Sequence, residues 1–185
     1  MIHSLLKRLD RHSPAEEGHA QRVAVFAVAT GDELGLHAET LLRLRYAALL
    51  HDVGKISVDS KLLNKMGRLT EEEMDALRLH ALIAASLLEA FDWLHPCLPD
   101  IRHHHERWDG GGYPDGLLGP DIPLGARIIN LAETFDVMLT GHHGEPRSEE
   151  AALNEIMRCS GSQFDPKVVE AFFRVQPLIQ PVFEH

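Results

Sequence analysis

Cysteine is scarce in this chain: Cys97 and Cys159 are the two in 185 residues. That count excludes a disulfide framework at this length, and two thiols so far apart do not make a zinc cluster. Both are expected to be free thiols. Long apolar runs are missing too. No stretch approaches the ~20 residues that cross a bilayer. The first ten residues lack the continuous apolar core and small-residue cleavage site of a signal peptide. The expected location is cytoplasmic, with no membrane partner. Positive charge is short as well, with 18 Lys and Arg against 28 Asp and Glu and a net charge of −10. A surface of that sign excludes polymeric nucleic acid as a partner. Were the ligand a phosphate ester, something local would have to reverse the field, and metal ions do so.

Histidine, by contrast, is abundant, with thirteen residues. Their positions matter more than their number. The chain reads as all-α, because apolar residues recur at i, i+3, i+4 and i+7 and no period-2 run appears. About seven helices are expected in a single domain spanning residues 15–175. Residues 1–14 are a lead-in and residues 176–185 a peripheral tail. The first helix runs from about residue 15 to 34, entered through Ser13-Pro14, and the second covers about 38–51. The third starts on the capping box Thr70-Glu71-Glu72-Glu73 and continues to about 91. The fourth covers about 99–106. The stretch 108–123 holds five glycines and three prolines and is a long loop. Helices at about 124–139, 148–159 and 165–175 complete the domain.

Ligand-type residues interrupt the apolar stripes. His80 follows Leu77 on the third helix, whose inward stripe is Met74, Leu77, Ala81, Ala84 and Leu88. Asp136 sits beside the stripe Ile128, Ala132, Phe135 and Leu139, and His19 lies one turn before Val23. Ala47 and Leu50 lead into His51-Asp52. A lone histidine of this kind is more often a hydrogen-bonded core residue than a ligand. The set changes that reading. His19, His51, Asp52, His80, His104, His105 and Asp136 come from five helices, and inward convergence from facing helices is how bundles build metal sites. Imidazole and carboxylate without thiolate favour iron, manganese, zinc or nickel. Seven candidates exceed the needs of one ion, and Asp52, with two oxygens, suits a bridge between two.

The strings His51-Asp52-Val53-Gly54-Lys55 and His104-His105-Glu106-Arg107-Trp108-Asp109-Gly110-Gly111-Gly112-Tyr113-Pro114 resemble the two signatures of the HD-GYP family. Ile122-Pro123-Leu124-Gly125-Ala126-Arg127-Ile128, Phe135-Asp136 and Gly161-Ser162-Gln163-Phe164-Asp165-Pro166 fit it as well, so the resemblance covers about residues 15–175. It implies an all-helical HD domain that hydrolyses cyclic di-GMP to linear pGpG, GMP or both through a dinuclear metal-bound hydroxide. The metals implied are two ions, iron or manganese, with zinc and nickel as further options. The ligands it implies are the seven residues named above. Asp52 and Lys55 take the catalytic roles, Lys55 as a cation for the scissile phosphate. Tyr113 and Gly112 are implied substrate contacts, and Arg107 and Trp108 structural supports. His103 is expected to be a solvated neighbour. A regulatory or diguanylate-cyclase-type protein is a possible partner, since these residues hold no sensory domain.

Two departures from the family pattern stand out. Ala15 occupies the position of a glutamate found in members with three metals, with Glu16 and Glu17 beside it, so two metals are expected. The Arg-Pro-Tyr-Arg stretch after the last aspartate is replaced by Thr140-Gly141-His142-His143-Gly144-Glu145-Pro146-Arg147. Arg147 is the one residue placed to compensate, and His142 and His143 read as an exposed loop. Two other readings therefore stay open. One is a phosphohydrolase for another cyclic or linear nucleotide or dinucleotide. The other is a nucleotide-binding or scaffold protein without turnover.

Overall fold

The computed structural model describes residues 2–13, 17–65, 67–141 and 145–179. Ala15, Glu16, His142, His143 and residues 180–185 of the expected tail lie outside them. The described residues are helical, with no strand among them. In chain order the helices are α1 (Ile2–His12), α2 (His19–Glu33), α3 (Ala38–Leu50), α4 (Ser60–Leu63), α5 (Glu71–Arg78), α6 (His80–Leu88), α7 (Leu98–Arg102), α8 (Leu124–Thr140), α9 (Glu149–Arg158) and α10 (Pro166–Ile179). Short 3₁₀ turns cover Val53–Ser57, Asp92–Cys97 and Gly119–Asp121.

Local chemistry sets the boundaries. Gly35, at φ 78°, closes α2 in a Schellman motif: Leu36 N–H donates to Gly31 O at 3.0 Å and Gly35 N–H to Asp32 O at 2.8 Å. The capping box at Thr70 and Glu73 starts α5 as its sequence implies. Three phenylalanines then tie the middle of the domain together. Phe26 on α2, Phe135 on α8 and Phe172 on α10 have ring centroids 5.0–5.9 Å apart. All three are buried. Two of these contacts are edge-to-face and the third is tilted; they add to the burial term and fix the relative rotation of the helices. His19 lies two turns before Phe26 and Asp136 directly after Phe135, so this packing also brings those two side chains together.

The structure differs from the sequence expectation in four places. Residues 2–12 form a helix rather than a lead-in. Leu6 and Leu9 on α1 are buried, and His12 Nε2–H donates to Val58 O at 2.7 Å. The expected third helix breaks at Leu79. There His80 Nδ1–H donates to Leu77 O at 2.6 Å, taking a carbonyl that the helix ladder would otherwise use. The same break leaves Met74 exposed, so the inward stripe begins at His80 and Ala81. The fourth helix ends at Arg102, because His103 leaves helical geometry. At the other end, α10 continues to Ile179 with Gln176 and Ile179 buried.

Two close approaches hold the ligand-bearing elements. The 3₁₀ turn after α3 packs its backbone on α6: a Cβ at Gly54 would lie 2.0 Å from His80 O and 2.7 Å from Ala84 N. Asp100 on α7 accepts hydrogen bonds from the Ala126 and Gly125 amides at the start of α8. Burial nevertheless pushes its carboxyl up to about 6.

Gly54→Ala should therefore cost about 3 kcal/mol or more, beyond ordinary overpacking, whereas Gly35→Ala, strained only by its positive φ, should cost about 1 kcal/mol. Denaturant titration of both variants checks this, and equal losses would contradict the close-approach account. For Asp100 the folded pKa lies above the unfolded one. Its contribution to stability is thus complete below about pH 4 and lost as pH rises through about 6. Asp100→Asn should be more stable than the parent at pH 8 by up to about 3 kcal/mol, and the gain should vanish near pH 4. Thermal melts at the two pH values measure it.

Candidate metal centre

The centre is built around Asp52, which follows α3 and is 1% exposed. Its Oδ2 lies 2.6 Å from Lys55 Nζ, 3.2 Å from His51 Nε2 and 3.8 Å from His19 Nε2. Its Oδ1 lies 3.2 Å from His80 Nε2 and 4.0 Å from His104 Nε2. One carboxylate thus addresses two separate sets of imidazoles. The donor atoms form two groups, each lying within 4.8 Å of one another: Asp52, His80, His104 and His105, and His19, His51, Asp52 and Glu133.

The histidines are oriented by a repeated device. His51, His80 and His104 each point Nδ1 at the backbone carbonyl three residues earlier, Ala48, Leu77 and Ile101, at 2.6–2.7 Å. A carbonyl only accepts, so Nδ1 carries the proton and a neutral ring leaves Nε2 bare. Those bare nitrogens face inward. His80 Nε2 is 3.3 Å from His104 Nε2 and 3.1 Å from His105 Nε2. Lone pairs as close as those of His80 and His104 repel one another unless a cation lies between them. His51 Nε2 and Asp52 Oδ1 are, in addition, buried without a hydrogen-bond partner among the described residues. A divalent cation resolves both features, so the residues present fit a metal.

Electrostatics point the same way. Burial and its imidazole neighbours hold His104 well below the usual histidine range, and burial takes His105 down to about 4, so both rings are neutral near pH 7. Asp52 is held well below the carboxylate range: burial opposes ionisation, but the charges of His51 and Lys55 outweigh it. His51 is the exception among the rings. Burial pulls it down, yet Asp52 and Glu133 carry it to about 9. The field that draws a proton onto His51 is the field that would draw a metal ion there.

Asp136 was expected among the ligands, and the fold gives it other work. Its Oδ2 accepts from His19 Nδ1 at 2.7 Å, and both its oxygens accept from the Arg22 guanidinium at 2.5–3.0 Å. It orients His19 instead of joining the donor groups. Glu133, one turn earlier on α8, stands among the donors in its place. The sequence reading missed Glu133. The available signal was a second acid three residues before Asp136 on the same helix face.

The glycine-rich loop is fixed from beneath. The buried Glu106 carboxylate accepts the Asp115 and Leu117 amides at 2.7 and 3.1 Å. Trp108 and Asp109 amides donate to Gln163 O and Ser162 O. Gly112 lies so close to the segment after α7 that a Cβ would sit 2.3 Å from Arg107 N. This places Tyr113 stacked on His105, centroids 4.8 Å apart and 27° from parallel. Burial pushes the Tyr113 hydroxyl well above the usual phenol range, so it stays a donor. A cleft of about 210 Å³ opens there, lined among others by Lys55, His80, His105, Tyr113 and Glu133. Arg147 does not line it; its guanidinium sits against Met138. His103 pairs with Asp115 at 2.9 Å at the surface, apart from the donors.

A profile of the HD domain family matches residues 4–168. The chain belongs to the HD domain family. Among curated relatives it is 34% identical over 181 residues to the cyclic di-GMP phosphodiesterase response regulator RpfG of Xanthomonas campestris, covering 96% of this chain and 48% of that protein. It is 30% identical over 173 residues to the 3'3'-cGAMP-specific phosphodiesterase 2 of Vibrio cholerae, covering 92% and 33%. This HD domain therefore spans about half the length of the first and a third of the second. The crystal structure of the cyclic GMP-AMP specific phosphodiesterase V-cGAP3 of V. cholerae shares the fold, with a TM-score of 0.75, 24% identity, and coverage of 98% of this chain and 49% of that one.

Glu133→Ala should remove one ion per chain from the manganese-loaded protein. Asp136→Asn should keep the stoichiometry but weaken affinity by about 10–100-fold, the usual cost of losing a residue that orients a ligand. Metal analysis after dialysis separates the two. The reverse pattern would return Asp136 to the ligands.

Proposed function

We propose that this chain is a metal-dependent phosphodiesterase that hydrolyses cyclic di-GMP to linear pGpG, GMP or both. The reading rests on one observation: the two oxygens of buried Asp52 face two separate groups of inward-pointing imidazole nitrogens. One group, His19, His51, Asp52 and Glu133, would hold one divalent cation, and the other, Asp52, His80, His104 and His105, a second. Iron or manganese suits such nitrogen and oxygen donors. Two bound cations would supply Lewis acidity to a phosphate and lower the pKa of a water.

The protein's own groups do the rest. Lys55, 2.6 Å from Asp52 and lining the cleft, offers its ammonium to a phosphate oxygen as charge builds there. Tyr113 presents a protonated hydroxyl beside His105, and Gly112 lets the loop backbone come close. Asp136 and the three carbonyls behind His51, His80 and His104 keep each ring in one tautomer. The buried walls around Asp52 limit water access, which strengthens every one of these interactions.

A second substrate is favoured by the relative that is 30% identical and named for 3'3'-cGAMP. Arg147 lies away from the cleft, so the groups that choose between cyclic dinucleotides must sit elsewhere on its rim.

The test is product analysis on chain purified without oxygen and loaded with Fe(II) or Mn(II), using cyclic di-GMP and 3'3'-cGAMP at matched enzyme concentration. Linear product should appear, vanish with chelator and be absent in Asp52→Ala, which should also lose its metal. No product from either ester by a metal-replete chain, or full activity in Asp52→Ala, would overturn the assignment.

A further inference from the structure

Arg78 is not accounted for by the site described above. It ends α5 and follows Leu77, which lines the cleft. Its guanidinium carbon lies 5.6 Å from the centroid of the Tyr113 ring. The Tyr113 ring thus stacks on His105 and also has the Arg78 guanidinium over it. Asp75, 2.8 Å away, is the acid that pairs with Arg78. Both side chains of that pair are about half exposed or more, at 49% and 70%. Such a pair holds its partners weakly, so the guanidinium can exchange it for a better anion.

The cleft needs that cation. Its lining includes Glu133 and backs onto Asp52, and the Lys55 ammonium, beside Asp52, serves the reacting phosphate and leaves the second one unmatched. Arg107 touches the lining through Gln163, but Asp109 holds it in a two-pronged pair at 2.7–3.0 Å. The cleft, about 210 Å³, is also smaller than the 300–1,000 Å³ cavities that enclose drug-sized ligands. A molecule with two phosphates must leave part of itself on the rim, where Arg78 stands.

We propose that Arg78 is a substrate-binding residue: it leaves Asp75 and pairs with the second, non-reacting phosphate of a cyclic dinucleotide whose first phosphate lies at the metal centre. Planar guanidinium groups suit this, since they meet phosphate oxygens with two parallel hydrogen bonds. The interaction is distant from the bond being cleaved and contributes equally to substrate and transition state. It therefore acts on KM and leaves kcat nearly as it was. The proposal rests on the phosphodiesterase reading above.

The test compares the metal-loaded parent, Arg78→Ala and Arg78→Lys on two esters. One is cyclic di-GMP, with two phosphates; the other is bis(p-nitrophenyl) phosphate, with one. Arg78→Ala should raise KM for cyclic di-GMP about tenfold with kcat changed less than about twofold. Its KM for the single-phosphate ester should rise less than about threefold. Arg78→Lys should recover part of the loss, and melting temperatures should match the parent, since Arg78 is a surface residue. Equal losses on both esters, a loss in kcat instead of KM, or no loss on cyclic di-GMP would overturn the role of Arg78. A metal-replete parent that cleaves neither ester would instead overturn the phosphodiesterase reading itself.

Discussion

A carboxylate sealed in the interior and ringed by imidazole nitrogens is the constraint on which this structure depends. Asp52, Glu133 and Asp136 bring three acids to one end of the bundle, and Lys55 and Arg22 bring two cations. Even so, His51 Nε2 and Asp52 Oδ1 are left without a hydrogen-bond partner among the described residues. Leaving a buried ionised group so poorly matched costs several kcal/mol, and proteins seldom keep it without a counter-ion. The climb of His51 to about 9 against its own burial is the same imbalance seen from another group.

The rest of the fold keeps those groups from relaxing. The phenylalanine trio sets α2 against α8 and α10 and fixes His19 over Asp136. The backbone contact at Gly54 locks the turn carrying Lys55 to the helix that begins with His80. Asp100 joins α7, just before His104, to α8, which carries Glu133. His19, His51, His80 and His104 are each pinned by a carbonyl or a carboxylate at the outer nitrogen. The rings cannot rotate to satisfy one another, so the donor set is preorganised for cations.

Much of this was legible in the chain. The all-α class follows from apolar spacing, and six of the seven expected ligands fall in the two donor groups because helix-end and stripe-edge positions do converge. What was hidden depends on side chains acting over distance. Choosing Glu133 over Asp136 requires the rotation of α8 against α2, since both acids lie within one turn and periodicity ranks them alike. The break at Leu79 comes from one imidazole capturing a carbonyl, which propensity cannot register. Helix α1 was legible as well: Ile2, Leu5, Leu6 and Leu9 recur at i, i+3, i+4 and i+7, and the expectation of a lead-in passed over them. Arg147 was read as facing the substrate from its order in sequence, whereas the turn before α9 lays it on Met138.

Anomalous diffraction at the metal edge, from crystals of the manganese-loaded chain, addresses the central point most directly. Two peaks about 3.5–4 Å apart, one against each oxygen of Asp52, are the expected result. Crystals that bind manganese elsewhere, with the imidazoles turned to bond one another around a vacant interior, would contradict it.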